Sequence, residues 1–529
     1  MFYRPIGLYG DGMDDVASAS VRGSTNALSA RRRWAALAVL TLAVTLLAID
    51  GTVLALAVPS LTAALEPTTT QLLWIGDIYS FALAGLLVTM GNLADRIGRR
   101  RLLLIGSVAF GLSSAIAAFA PTAELLIAAR LLLGISGATI MPSTLSIVRN
   151  LFDDPQQRTR AIAIWSAGAT AGAALGPLAG GALLEHFWWG SVFLVNLPVM
   201  VIVVVLGLWL LPESRNPQRP TIDWPSAALS LLAIVPLVYA VKHTISAQFD
   251  GQSIAAAGIG LLAAAIFVRR QRRLPQPLLD VELFANPAFT GAIAAAGTAI
   301  FAFSGLLFFF SQYLQLVRDL SPLKAGLVEL PTTIASIGVV VVVAILMRRL
   351  GPGRAIAAGL ATAAAGLALL TLALGHDGYV GIVIGLTIIG LGVGVAMTLS
   401  NEAVVTAAPK GRAGAAASVA ETTYELGLAL GIAVLGSVQA IIYGWNLTLP
   451  SGTPENLRDA ASESLAVLLR HSDSSEALTS GAITAAQDAF AGSVQTTIGI
   501  SSVLVLLAAV IAWRLIPSPR HRHADQTHP

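Results

Sequence analysis

Fourteen apolar stretches, each long enough to cross a bilayer, divide this chain of 529 residues. They lie at 34–58, 71–93, 102–120, 123–147, 159–184, 191–211, 224–241, 252–268, 288–315, 324–347, 354–374, 379–407, 413–443 and 493–514. A helical span needs about 20 apolar residues at roughly 1.5 Å each. Only 12% of the chain is charged and 55% is hydrophobic, too little charge for a soluble domain of this size. In hydrocarbon every backbone polar group must be satisfied internally, so these stretches are predicted to be helices. The expected fold class is an all-α polytopic membrane protein.

The basic residues test that count. If the amino terminus is cytoplasmic, 26 of the 32 Lys and Arg fall in segments on its side of the membrane. Five (Lys242, Arg318, Lys324, Arg458 and Arg470) fall on the other side, and Arg130 lies within a span. This is the bias of the positive-inside rule, and a miscounted span would scramble it. It predicts both termini cytoplasmic. It also explains the basic isoelectric point of about 9.3 without nucleic acid. The first 33 residues end in Arg31-Arg32-Arg33, and the apolar run behind them is too long for a signal peptide.

The expected order is a tail at 1–33, six spans at 34–211, two additional spans with their linkers at 212–286, six spans at 287–515 and a tail at 516–529. GNLADRIGRRR after the second span and MRRLGPGR after the tenth form a faint repeat, as in transporters built from two related halves. The outer loop at 444–492 is expected to form a helical hairpin. Thr453-Pro454-Glu455 reads as an N-cap with Pro at N1, Leu457, Ala461, Leu465 and Leu468 share a helical face, and a second piece is expected from Ser474 or Ser475.

Several function classes drop out. There are no cysteines, hence no disulfides or thiol chemistry, and the seven histidines show no metal-ligand spacing. No GxxxxGK[ST] phosphate loop is present, so nucleotide hydrolysis is not the expected energy source. No metal or cofactor is expected, and no enzyme.

Charges inside spans are functional candidates by default. Counting rise per residue, Asp50 lies about 24 Å from the inner face, and Asp77 and Arg130 lie about 9–10 Å from the outer one. The three are therefore expected at matched depth, where a buried Arg can pair with carboxylates. Glu421 and Glu425, four apart, share one helical face. Two carboxylates so close in low dielectric are not both ionised cheaply, which makes a proton-binding site and a seat for a lipophilic cation. Glu329 lies near the outer mouth, and Trp74, Tyr79 and Tyr424 are secondary candidates for contact with substrate, the first two through their ring faces. Gly168, Gly172 and Gly176 recur every four residues, with Pro177, Gly180 and Gly181 behind them. This stripe predicts a close-packed, bendable span at the seam with the other half.

Several motifs together resemble the major facilitator superfamily, and within it the drug–proton antiporters with fourteen spans. Gly91-Asn92-Leu93-Ala94-Asp95-Arg96-Ile97-Gly98-Arg99-Arg100-Arg101 resembles the signature between spans 2 and 3; its glycines allow a tight turn and Asp95 with the arginines can latch the inner ends of two bundles. Arg130-Leu131-Leu132-Leu133-Gly134 resembles the span 4 motif, with Leu133 where the family often has Gln. Leu175-Gly176-Pro177-Leu178-Ala179-Gly180-Gly181 resembles the antiporter motif of span 5. Ile49-Asp50-Gly51-Thr52, Phe193-Leu194-Val195-Asn196-Leu197-Pro198 (with Gly190 in place of a common Arg) and Tyr424-Glu425-Leu426-Gly427 are similar to further family stretches. The resemblance implies a monomeric secondary transporter in the plasma membrane. It would export lipophilic, often cationic drugs (quaternary ammonium compounds, ethidium-like dyes, fluoroquinolones) by alternating access, driven by proton entry. Asp50, Asp77, Arg130 and one of Glu421 or Glu425 would carry coupling and cation recognition. An exporter of a lipid or cell-envelope metabolite, or a proton-coupled nutrient symporter, would share the fold.

Overall fold

The computed structural model describes residues 29–152, 154–214, 223–246, 251–274, 277–376, 378–408, 413–470 and 477–517. The expected tails lie almost wholly outside these residues, as does the expected helix start at Ser474 or Ser475. The described chain is nearly all helical. In order come α1 (Ala30–Leu65), α2 (Thr69–Ile97), α3 (Arg99–Ala118), α4 (Ala123–Leu151) and α5 (Pro155–His186). A single turn, Ser191–Leu194, leads into α6 (Asn196–Leu210), followed by the pair α7 (Trp224–Ser246) and α8 (Gly251–Gln271). Then follow α9 (Pro287–Leu316), α10 (Pro322–Gly338), α11 (Val340–Leu350), α12 (Pro352–Ala373) and α13 (Val380–Ala407). Last come α14 (Ala413–Leu430), a π segment (Gly431–Leu435), α15 (Gly436–Asn446), α16 (Glu455–Glu463), α17 (Leu465–Arg470) and α18 (Ala477–Leu515).

Twelve helices among the described residues are long and apolar enough to cross a membrane, or thirteen if bent α5 counts as one span. The stretch at 324–347, expected as one span, is broken. It forms α10 and α11, of 17 and 11 residues, which meet at Val339. Neither reaches the length a span needs on its own. The break follows Gly338, the residue type that most weakens a helix interior after proline.

Two large buried clusters form the core. One is built from α1 to α6 and the other mainly from α9 to α18. A third, small cluster joins Phe81 of α2, Val238 of α7 and Ala429 and Ala433 of α14 and the π segment. Three hydrogen bonds between the two sets of helices lie at the end carrying α16 and α17. Gln315 donates to the Leu56 carbonyl (3.1 Å), Ser321 to Glu185 (3.2 Å) and Thr69 to the Glu463 carbonyl (3.3 Å).

α5 bends by 41° between its segments 156–173 and 175–186. Pro177 has no N–H to give the Ala173 carbonyl, which removes one rung at the bend. The Thr52 hydroxyl of α1 stands 3.5 Å from that freed carbonyl. The glycine stripe was expected to face the other half, but it faces α1. Side chains at Gly168, Gly172, Gly176 and Gly180 would run into Thr41, Thr45, Thr52 and Val53. Only the adjoining face crosses the seam: Gly181 meets Pro322 and Leu323, and the Pro177 carbonyl meets Gly326. A small-residue repeat specifies close approach but not the partner.

The outer loop is also shorter than expected. α16 and α17, separated at Ser464, bury Leu457, Ala461, Leu465 and Leu468. Thr453 is not the cap; Pro454 holds that position, and the Thr453 hydroxyl bonds the Pro450 carbonyl instead. From Ala477 the chain runs without interruption into the last long helix.

Candidate functional site

The site begins where α1, α2, α4 and α6 meet. Gly134, one turn from Arg130, lets α4 press against the Tyr79 backbone of α2. That approach delivers the Arg130 side chain to α2 and α1. Its guanidinium donates to Asp50 Oδ2 (3.2 Å), the Ile75 carbonyl (3.1 Å) and the Gly76 carbonyl (3.4 Å). Both charged residues are at most 1% exposed. The same guanidinium lies 4.7 Å from the Tyr79 ring centroid and 6.0 Å from that of Phe193. Tyr79 therefore gives its ring face to the chain's own cation.

The second Asp50 oxygen accepts from the amide of Asn196 at 2.7 Å, and that amide also reaches the Ser114 hydroxyl at 3.1 Å. Asn196 is fully buried at the start of α6. Motif reading passed over it as a functional group, although a carboxamide inside the apolar run Asn196-Leu197-Pro198-Val199-Met200-Val201 was a visible signal. Asp77, next to Gly76, is fully buried, and its charge acts on Arg130. Asp50 and Arg130 thus form a hydrogen-bonded pair, with two carbonyls and an amide completing its shell.

The carboxylates of the other half are held differently. Glu425 of α14 is buried, faces Ser80 of α2 across the seam, and interacts electrostatically with Tyr79 and with half-buried Glu421. Its Oε2 has no hydrogen-bond partner among the described residues. Tyr424, beside it, is half-buried. Shortly before the π segment, the Leu428 carbonyl accepts from the Ser304 hydroxyl of α9 at 2.9 Å. Glu329 of α10 is likewise buried, near Ser311, and its Oε1 also lacks a partner among the described residues. Trp74 lines the seam rather than a lipid interface. It packs edge-on against Phe81, 6.4 Å between centroids, with Ile234 of α7 and Leu426 of α14 nearby.

At the arginine-rich end, Gly98 ends α2 and begins α3 with φ +119°, a conformation that glycine adopts without strain. Asp95 bonds Arg99 at 2.8 Å, and Arg100 donates to the Leu208 carbonyl. The Glu213 carboxylate, just past α6, accepts from the backbone N–H groups of Arg100 (3.3 Å) and Arg101 (3.2 Å). An anion at a helix N-terminus is favoured there. These bonds tie the loop to α6 of its own half. Gly91 sits mid-helix against Pro142, and Arg96 is exposed.

The chain matches the family model described as Major Facilitator Superfamily over residues 40–432. It is 46% identical over 484 residues to the multidrug efflux pump LfrA of Mycolicibacterium smegmatis, covering 91% of this chain and 95% of that protein. It is 34% identical to the methyl viologen resistance protein SmvA of Salmonella typhimurium, covering 93% of this chain and all of the other. It is 31% identical to the drug efflux pump JefA of Mycobacterium tuberculosis, covering 89% and 95%. A solved inward-facing, unoccupied bacterial homolog of the human lysosomal transporter Spinster superposes with a TM-score of 0.63 at 19% identity, covering 93% of this chain and 100% of that one. At that identity the likeness is one of fold.

Proposed function

We propose, for a chain that belongs to the major facilitator superfamily and is a multi-pass membrane transporter rather than an enzyme, that it is a proton-driven multidrug efflux antiporter. Its cargo is lipophilic and often cationic: quaternary ammonium compounds, ethidium-like dyes and fluoroquinolones. It works as a monomer in the plasma membrane, with fourteen spans in the order six, two, six and both termini cytoplasmic. In that count bent α5 is one span and α10 with α11 another. The relatives named as drug pumps and resistance proteins support this reading.

One observation carries the coupling. Glu425 keeps a buried oxygen without a partner among the described residues, in the seam between the halves and facing Ser80 of α2. A proton there neutralises a charge that a bound cation would otherwise neutralise, so the two ligands exclude each other. Asp50, Asp77 and Arg130 hold the opposing wall and fix its field, Glu421 shares the coupling with Glu425, and Glu329, Trp74 and Tyr424 are further substrate contacts. Each proton moving inward releases about 2.3 kcal/mol per 100 mV.

Ethidium efflux from cells, with and without a protonophore, tests the reading. Efflux is expected to stop with the protonophore, and in the double variant Glu421→Gln/Glu425→Gln while folded protein persists; Asp50→Asn, which leaves Arg130 buried without its carboxylate, should lose efflux together with stability. Full efflux in both variants would sink the assignment of coupling. Uptake that rises with the proton gradient would replace the antiporter by a symporter.

A further inference from the structure

The additional pair α7 and α8 ends in a run of four arginines, Arg269, Arg270, Arg272 and Arg273, and the structure divides them into two uses. Arg270 turns toward the start of α7. Its guanidinium grips Asp223 at 2.8 and 3.3 Å and the Ser226 hydroxyl at 3.1 Å. Burial disfavours the Asp223 charge, but the bonds from Arg270 and Ser226 outweigh it and hold that carboxyl below its usual range. Gln271, also buried, donates to Ser226 and accepts from the backbone of Leu278 and Leu279. The arginine-rich ends of α7 and α8 and the following linker are therefore clasped into one unit.

The other three arginines point out. Arg269, Arg272 and Arg273 are exposed and form no ion pair among the described residues. They lie with Ala264, Ala265 and Val268 around an open groove of about 560 Å³. The helical turn continues past Gln271, with Arg272 N–H bonded to the Val268 carbonyl, so 265, 268, 269 and 272 share one face. On that face Ala265 and Val268 lie on the side of the apolar length of α8, and the guanidinium groups of Arg269 and Arg272 lie at its end. Farther along, Ile254, Ile259, Leu261, Leu262 and Ile266 are exposed, so the helix borders lipid along its length.

We propose that this groove is a headgroup site for an anionic phospholipid. The recognised chemistry is a phosphodiester anion, which the planar fork of Arg binds through paired N–H groups. An apolar floor that continues into the bilayer selects a lipid over free phosphate. Basic pockets on the cytoplasmic side of membrane helices suit anionic headgroups in this way. The clasp holds the arginines in place, since α8 cannot rotate without breaking Arg270 from Asp223. The proposal is independent of the transport reading.

The test uses the purified full-length protein in nanodiscs of phosphatidylcholine doped with phosphatidylglycerol or cardiolipin, followed by native mass spectrometry of the lipid retained. The wild type is expected to retain the anionic lipid. The variant R269Q/R272Q/R273Q should lose it about tenfold, the order expected when charge-assisted bonds are removed. The variant R31Q/R149Q/R514Q, with the same change in charge at exposed arginines of the same end, should keep it. Ala265→Trp fills the floor, leaves every charge in place and should also weaken retention, which covers the case of a triple variant that fails to fold. Equal losses in both triple variants, or retention undisturbed by Ala265→Trp, would overturn the site in favour of general surface charge. Displacement of the lipid by millimolar inorganic phosphate would overturn the lipid as occupant.

Discussion

Asp50 of the first half and Glu425 and Glu329 of the second are buried in opposite ways. Asp50 has both oxygens engaged, one by Arg130 and one by Asn196. Glu425 and Glu329 each keep an oxygen with no partner among the described residues. A fully bonded ion pair in low dielectric is strongly disrupted by losing one member, because the survivor is left charged and alone. A carboxyl with an open lone pair can take a proton or a cation without breaking anything. The first arrangement is suited to hold a geometry and the second to exchange a ligand.

Five variants test that contrast, in descending order of their effect on stability. Arg130→Met leaves Asp50 buried with only an amide donor, and should destabilise by about 3–5 kcal/mol, seen as lost monodisperse protein and lost efflux. The double variant Asp50→Asn/Arg130→Met should unfold at a higher temperature than Arg130→Met alone; equal unfolding would mean that the pair does not act as a unit. Asn196→Leu removes one charged hydrogen bond at similar volume, worth about 1.5–3 kcal/mol in thermal unfolding. A neutral result there would reduce Asn196 to packing. Glu329→Gln should cost less than Asn196→Leu, under about 1.5 kcal/mol, since no bond to its open oxygen is lost. Glu425→Gln should be similarly mild in unfolding yet abolish efflux driven by a pH gradient, leaving a flat pH profile where the wild type responds. If Glu425→Gln unfolds like Arg130→Met, the contrast between the halves fails.

Much of this arrangement was legible from residue order. A rise of about 1.5 Å per residue placed Asp50 and Arg130 at matched depth, and the structure has them 3.2 Å apart. Gly98 stood between two helical runs where a turn was needed. Asn196 was less legible, because its partners Asp50 and Ser114 are remote in sequence and no local pattern marks them. The seam was misread for a related reason. A glycine every four residues announces a close neighbour, but α1 and α10 both border α5, and only the adjoining face with Pro177 and Gly181 meets α10. The hairpin boundary moved because residues 477–492 are polar enough to read as loop, yet they extend the last helix.

Hydropathy and charge are properties of neighbouring residues, and they act on each segment as it meets the bilayer. From sequence alone, therefore, came the all-helical membrane architecture, the arginine-rich end and the buried charges that demand explanation. Tertiary structure decided which donor Asp50 received, which helix the glycines met, and that Arg270 pairs with Asp223 while Arg269, Arg272 and Arg273 stay exposed. Those outcomes depend on contacts between helices far apart in the chain, whose geometry is set by close packing rather than by local composition.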